Sequence, residues 1–247
     1  MAEAPPVLVL CAHGTRDAAG AAAVRRIAHR VARLRPGLDV IRGYVDVQSP
    51  HISDLSTALS ASGRRYVVVP LLLSAGHHVL VDIPAALDRP GAVGADPLGP
   101  DPVLADLLVR RLREIGAVDG DAVVLAAAGS SRTEADADAR AAARMLRERW
   151  DGPVEIGYGA SATPTVAQAV ARLRVISSRV AVASYLIGPG HFHSRLSGCG
   201  ADLVSAPLGA HESLVRLVLD RYDAARSRIA GPNSPVIATA TGTTTSA

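Results

Sequence analysis

The sequence predicts an α/β fold of two tandem units, each built on a mainly parallel sheet. Three observations carry that expectation. Short β-branched runs alternate with long amphipathic stretches, the alternation occurs twice, and 247 residues of which 49% are hydrophobic and 20% charged can bury a full-sized core. In chain order, Val7–Cys11 is a continuous apolar run that reads as a strand, and Ala18–Arg35 follows with apolar residues at helical spacing. Asp39–Val45 and Arg65–Leu73 read as further strands, with helices over Pro50–Ser62, Val79–Asp88 and Pro102–Ile115. Pro84 suits a first helical turn, and Asp82 a helix N-terminus where its charge complements the dipole. Gly116 to Gly120 carries the breaker signals of a linker. A second series then places strands near Ala122–Ala127, Val154–Tyr158 and Arg179–Leu186, and helices near Arg132–Trp150, Thr165–Leu173 and Ser213–Arg228.

The repeat is visible at fixed offsets. The heptad of residues ending at Thr15 (Val-Leu-Cys-Ala-His-Gly-Thr) matches the one ending at Ser130 (Val-Leu-Ala-Ala-Ala-Gly-Ser), 115 positions on. Tyr44 and Pro50 match Tyr158 and Pro164 at 114, Gly76-His77 matches Gly190-His191 at 114, and Pro97-Leu98-Gly99 matches Pro207-Leu208-Gly209 at 110. Two units follow, residues 1–117 and 118–231, each of ordinary domain size. Residues 232–247, rich in Pro, Thr, Ala and Ser without any period, are expected to be mobile.

Composition narrows the function classes. All 26 basic residues are arginine, so Schiff-base chemistry and a lysine-bearing phosphate loop are excluded. The net charge of +3 is spread along the chain and aromatics are only 3%, which argues against nucleic acid and leaves an anionic small molecule as the better partner for the arginines. The two cysteines, and an early apolar stretch too short for a signal peptide or membrane span, predict a soluble cytoplasmic protein.

The repeats differ where polar chemistry would sit. His13 faces Ala128, Asp46 faces Ala160 and His78 faces Phe192, so only the first unit keeps the polar set. All three fall at or just past strand C-terminal ends, where open parallel sheets place ligands. Two imidazoles and a carboxylate suit a borderline divalent ion such as Co²⁺, Ni²⁺ or Fe²⁺, or supply a general base near neutral pH. The plainer alternatives are a helix-entry cap for His13, a loop carboxylate bonded to backbone for Asp46, and structural roles for His77 and Asp82. His29 and His211 lie in helical contexts, and His51 has weak support as a site residue. A one-residue gap would bring His193 opposite His78, as an auxiliary ligand or proton acceptor.

Ala12-His13-Gly14-Thr15 and the segment Val69 to Pro84, with its proline, apolar run, Gly76-His77-His78 and Asp82-Ile83-Pro84, resemble the small class II tetrapyrrole chelatases of the CbiX/SirB type. The resemblance covers both repeats. It implies two chelatase-like α/β domains facing across a cleft, and insertion of Fe²⁺ or Co²⁺ into sirohydrochlorin without ATP, for sirohaem or cobalamin biosynthesis. The metal is then a substrate, and no organic cofactor is expected. By motif position His13 and His78 are the metal-handling histidines, and Asp46 stands where many relatives have a glutamate. The second repeat is expected to form the opposite wall, giving one macrocycle per chain and a monomer with an internal pseudo-dimer.

Such a substrate bears many carboxylates. Arginine forks match these, and Arg16, Arg42, Arg132 and Arg195, beside the motif segments, are the candidates, with Gly76 and Gly190 as backbone able to approach a flat ligand. Solvated helix-end arginines and plain turns are the alternatives. A non-catalytic metal or tetrapyrrole carrier is the rival to an enzyme; a metal-dependent hydrolase is weaker, for want of a helical His-x-x-x-His pair with a carboxylate base.

Overall fold

The computed structural model describes residues 4–229. Its first repeat runs β1 (Val7–Ala12), α1 (Ala18–Leu34), β2 (Val40–Tyr44), α2 (Ile52–Ala61), β3 (Tyr66–Pro70), a π-helical turn (His78–Asp82) continued by α3 (Ile83–Leu87), β4 (Ala92–Gly94) and α4 (Pro102–Glu114). The second runs β5 (Ala122–Ala127), α5 (Thr133–Arg147), β6 (Val154–Tyr158), α6 (Val166–Leu173), β7 (Val180–Ser184), α7 (His191–Leu196), β8 (Leu203–Val204) and α8 (Glu212–Arg226). The tail at 232–247 lies outside the described residues.

Two four-stranded, all-parallel sheets result, in the orders β2-β1-β3-β4 and β6-β5-β7-β8. Both predicted sheets are present, each with an edge strand the sequence did not signal: β4 and β8 span three and two residues, too short to display a period. The helix expected over 79–88 also differs. It opens with a π turn in which the Ile83 N–H donates to the His78 carbonyl, five residues back. Pro84 has no N–H to close a regular turn on Leu80 and its ring would crowd that carbonyl, which the wider turn relieves. α7 was not foreseen either; it is the six-residue counterpart of this segment.

Central strands are buried on both faces, which is why they read as unbroken apolar runs. Alternate residues go to different cores. Val7, Val9 and Cys11 of β1 meet Ile52, Leu59 and Ile83, and Ala122 and Val124 of β5 meet Val166, Val170 and Leu173, as separate outer clusters. Burial pushes the Cys11 thiol up to about 12, so it stays an inert packing group. The other strand faces share one core. Leu8, Leu10, Val67 and Val69 of the first sheet, Val123 and Leu125 of the second, Leu104 and Leu108 of α4, and Leu214 and Tyr222 of α8 belong to a single cluster. The last helix of each repeat is exchanged: α4 lies against β7, and α8 lies against β3. Hydrogen bonds hold the exchange, among them the bidentate Arg35–Asp223 pair at 2.7 Å for each bond, Arg221 to Asp101 at 2.8 Å, and Tyr222 Oη to the Pro6 carbonyl at 2.7 Å.

Equivalent backbone geometry confirms the offsets. Gly14 and Gly129 have φ of +97° and +89°, and a Cβ there would come within 2.0 Å of the Asp46 carbonyl oxygen and 1.9 Å of the Ala160 carbonyl oxygen. Glycine is therefore required where each first strand turns under the following loop. Among the described residues, no helix is long and apolar enough to cross a membrane.

Candidate functional site

Because both sheets present strand C-terminal ends to each other, the loops after β1, β3, β5 and β7 enclose a cleft of about 560 Å³, within the range of small-molecule sites. Its lining comes from both repeats, including His13, His77, His78 and Gly76 from the first and Tyr158, Gly190 and His193 from the second. The two repeats also touch each other across the cleft edge. The Ala75 N–H donates to the Asp138 carboxylate at 2.7 Å, Tyr185 Oη donates to the Leu73 carbonyl at 3.2 Å, and Gly20 of α1 lies where a Cβ would meet the Pro189 carbonyl at 2.6 Å.

His13 and His78 come together at the open end of the first sheet. Their ring centroids are 4.6 Å apart and the planes stand at 86°. Two imidazole nitrogens each bound at about 2.1 Å to one ion stand about 3.2 Å apart, so small ring rotations let this pair share a metal. The Asp82 carboxylate fixes His78: its Oδ2 lies 2.6 Å from Nδ1. An ionised carboxylate only accepts, so Nδ1 carries the proton and Nε2 keeps its lone pair for an ion. His77 is held differently. The Arg132 guanidinium, from the second repeat, donates to its Nδ1 at 3.0 Å, which places the ring proton on Nε2, 3.9 Å from Asp82 and too far for a hydrogen bond.

Asp82 is thus the site residue that sequence reasoning assigned to a structural role, its charge complementing a helix dipole. Its backbone is already helical and its side chain caps nothing; the available signal was its i,i+4 spacing from His78. Asp46 goes the other way. Its carboxylate accepts from the Val47 N–H at 2.7 Å, as the plainer reading held, and it lines a side recess with Arg16, Asp17 and His191 instead of the main cleft. Among the described residues no three His, Cys, Asp or Glu side chains are placed to share an ion, so Asp46 does not join His13 and His78. Of the four arginines, only Arg132 reaches the cleft rim, and it is engaged with His77. Arg16 is exposed in the side recess, Arg195 is exposed in the last turn of α7, and Arg42 sits in the middle of β2, opposite Leu10, because strand position and not sequence proximity sets its direction. Gly76 and Gly190 both line the cleft.

The second wall is largely apolar. Ala128 and Phe192 stand where the first repeat has histidines, and the Phe192 ring packs on Gly159, whose Cβ would lie 2.8 Å from it. Its polar side chains are Ser130, Asp136, Tyr158, which donates to Asp136, Tyr185, His191 and His193. Burial, then the bond to Asp136, pushes the Tyr158 phenol up to about 12, while the bonds from Tyr158 and Arg140 hold the Asp136 carboxyl below its ordinary range.

Comparison with known proteins covers both repeats. The CbiX family model matches residues 7–115 and again 122–225. Sirohydrochlorin cobaltochelatase of Sulfurisphaera tokodaii is 33% identical over 87 residues, covering 33% of this chain and 72% of the relative. That of Methanosarcina barkeri is 28% identical over 117 residues, covering 41% of this chain and 90% of the relative. In three dimensions the chain resembles Bacillus subtilis SirB with Fe³⁺ (TM-score 0.73, 19% identity, 88% of this chain and 94% of that one). It also resembles a CbiX described as the terminal enzyme for siroheme biosynthesis in denitrifying bacteria (TM-score 0.64, 20% identity, 88% and 98%). At these identities the structural matches speak for the two-domain chelatase fold.

Proposed function

The chain belongs to the CbiX family of class II chelatases, and on that premise we propose that it inserts a divalent metal, Fe²⁺ or Co²⁺, into sirohydrochlorin without ATP. The observation that carries the proposal is the His13–His78 pair, with rings 4.6 Å apart at the rim of a cleft walled by both repeats. Two ligands leave coordination positions open, as an ion that must be handed on requires. Asp82 keeps His78 in the tautomer that binds, and the neutral imidazoles shed the ion more readily than a closed four-ligand set would. The apolar second wall excludes water from one face of a flat macrocycle, and the exchanged helices fix the two walls in relation to each other. The same imidazoles accept Fe²⁺, Co²⁺ and Ni²⁺, so the physiological ion is set by supply and partner pathway, whether sirohaem or cobalamin.

The purified protein, incubated with sirohydrochlorin and Co²⁺, or anaerobically with Fe²⁺, should convert many equivalents of macrocycle by absorbance. A spectral change that stops at one equivalent per chain would instead assign it as a carrier, and no change at all would refute both.

A further inference from the structure

On the reading that this cleft metallates a tetrapyrrole, we propose that His193 is the proton acceptor on the wall opposite the metal-handling pair. A brace of buried serines carries the argument. His193 Nε2 lies 3.1 Å from the Ser205 carbonyl oxygen, and a carbonyl can only accept. Nε2 therefore bears the proton, and the neutral ring offers Nδ1 as a base with no hydrogen-bond partner among the described residues. The Ser205 carbonyl is itself fixed. Ser184 Oγ donates to it at 2.7 Å, the Ser184 N–H donates to Ser205 Oγ at 2.9 Å, and both serines are fully buried. Burying hydroxyls costs free energy unless they are paired, and this pair holds one carbonyl against one imidazole of the cleft wall.

The repeat places His193 at the position of Val79, and both residues line the cleft from their own side. With no three-residue ligand group among the described residues, His193 is not a third ligand beside His13 and His78. Its free base answers a different need. Inserting M²⁺ into a free-base tetrapyrrole releases two protons, and an ion delivered to one face blocks bases on that face. At the other face a pyrrole N–H bond breaks, its electron pair stays on nitrogen and is donated to the ion, and the proton forms an N–H bond at His193 Nδ1. The imidazolium passes that proton to water before the second pyrrole proton follows the same route.

His193→Gln tests this, since its amide keeps a donor for Ser205 and removes the basic nitrogen. With sirohydrochlorin and Co²⁺, kcat should fall about 100-fold, in the range of lost general-base catalysis, with KM for the macrocycle and calorimetric Co²⁺ affinity within twofold of wild type. Turnover of His193→Ala should rise with added imidazole. A His193→Gln kcat within threefold of wild type, a parallel loss of Co²⁺ affinity, or a raised KM at unchanged kcat would each overturn the assignment. Failure of the underlying reading looks different: wild type itself would not turn over, and no acceptor would be needed.

Discussion

Replacing Asp82 by asparagine should weaken metal handling without weakening the fold. The carboxylate holds His78 Nδ1 at 2.6 Å, and an amide of nearly the same shape can present either an acceptor or a donor there. When it donates, His78 takes the other tautomer and its Nε2 lone pair is lost to the ion. Outer partners of metal-binding histidines are worth about 10–100-fold in affinity or activity. Here Asp82 is 34% and His78 28% exposed, so solvent partly replaces the lost charge. The expected loss in kcat/KM for Co²⁺ is therefore about 10–30-fold, or about 1.4–2 kcal/mol at 1.36 kcal/mol per tenfold. Stability supplies the second arm. A carboxylate that capped α3 would cost about 1 kcal/mol on removal, but Asp82 makes no capping bond, so the urea midpoint should stay unchanged. Chelation within twofold of wild type, or a fall in midpoint that accounts for the activity lost, would refute the orienting role and return Asp82 to a structural role at the helix start.

Single replacements of His13 or His78 by alanine should reduce metallation at least about 100-fold while leaving circular dichroism and thermal midpoint near wild type, because neither ring belongs to a core cluster. A near-normal rate in either would remove that residue from the site. Gly14→Ala and Gly129→Ala should each cost about 2–4 kcal/mol in denaturant unfolding, since both place a Cβ against a carbonyl at positive φ; a neutral result at either would contradict the repeat geometry. A fragment ending at residue 117 keeps α4 but loses α8 from its sheet, so it should lack cooperative unfolding alone and regain it when mixed with the remainder; independent folding would contradict the helix exchange. His211 accepts the Ser213 N–H at the start of α8, and burial, then Arg110 and Arg111, hold its pKa below the ordinary value. Protonation removes the cap, so this contribution is present above about pH 6.5, the unfolded value, and is lost as pH falls through the lower folded pKa. His211→Asn, which caps at any pH, should flatten the urea midpoint between pH 7.5 and 5, and an unchanged slope would rule out His211 as its source.

The sequence by itself determined the repeat, the strand and helix order to within about three residues for the long elements, and the identity of His13 and His78 as polar residues the second repeat lacks. These are local properties: β-branched runs, helical spacing and glycines at fixed offsets act within a few residues of themselves. The tertiary structure decided what each apolar face meets and where each polar side chain ends. The periodicity of α4 and α8 announces a buried stripe but is silent on which sheet receives it, and that sheet is the other repeat's. Arg42 and Asp46 lie close to the motif in sequence, yet strand position turns one away and a loop hydrogen bond occupies the other. Asp82 reads as a structural charge beside a helix dipole until the π turn at Pro84 brings its carboxylate onto His78. Directions such as these are set by contacts between residues far apart in the chain, and no local pattern encodes them.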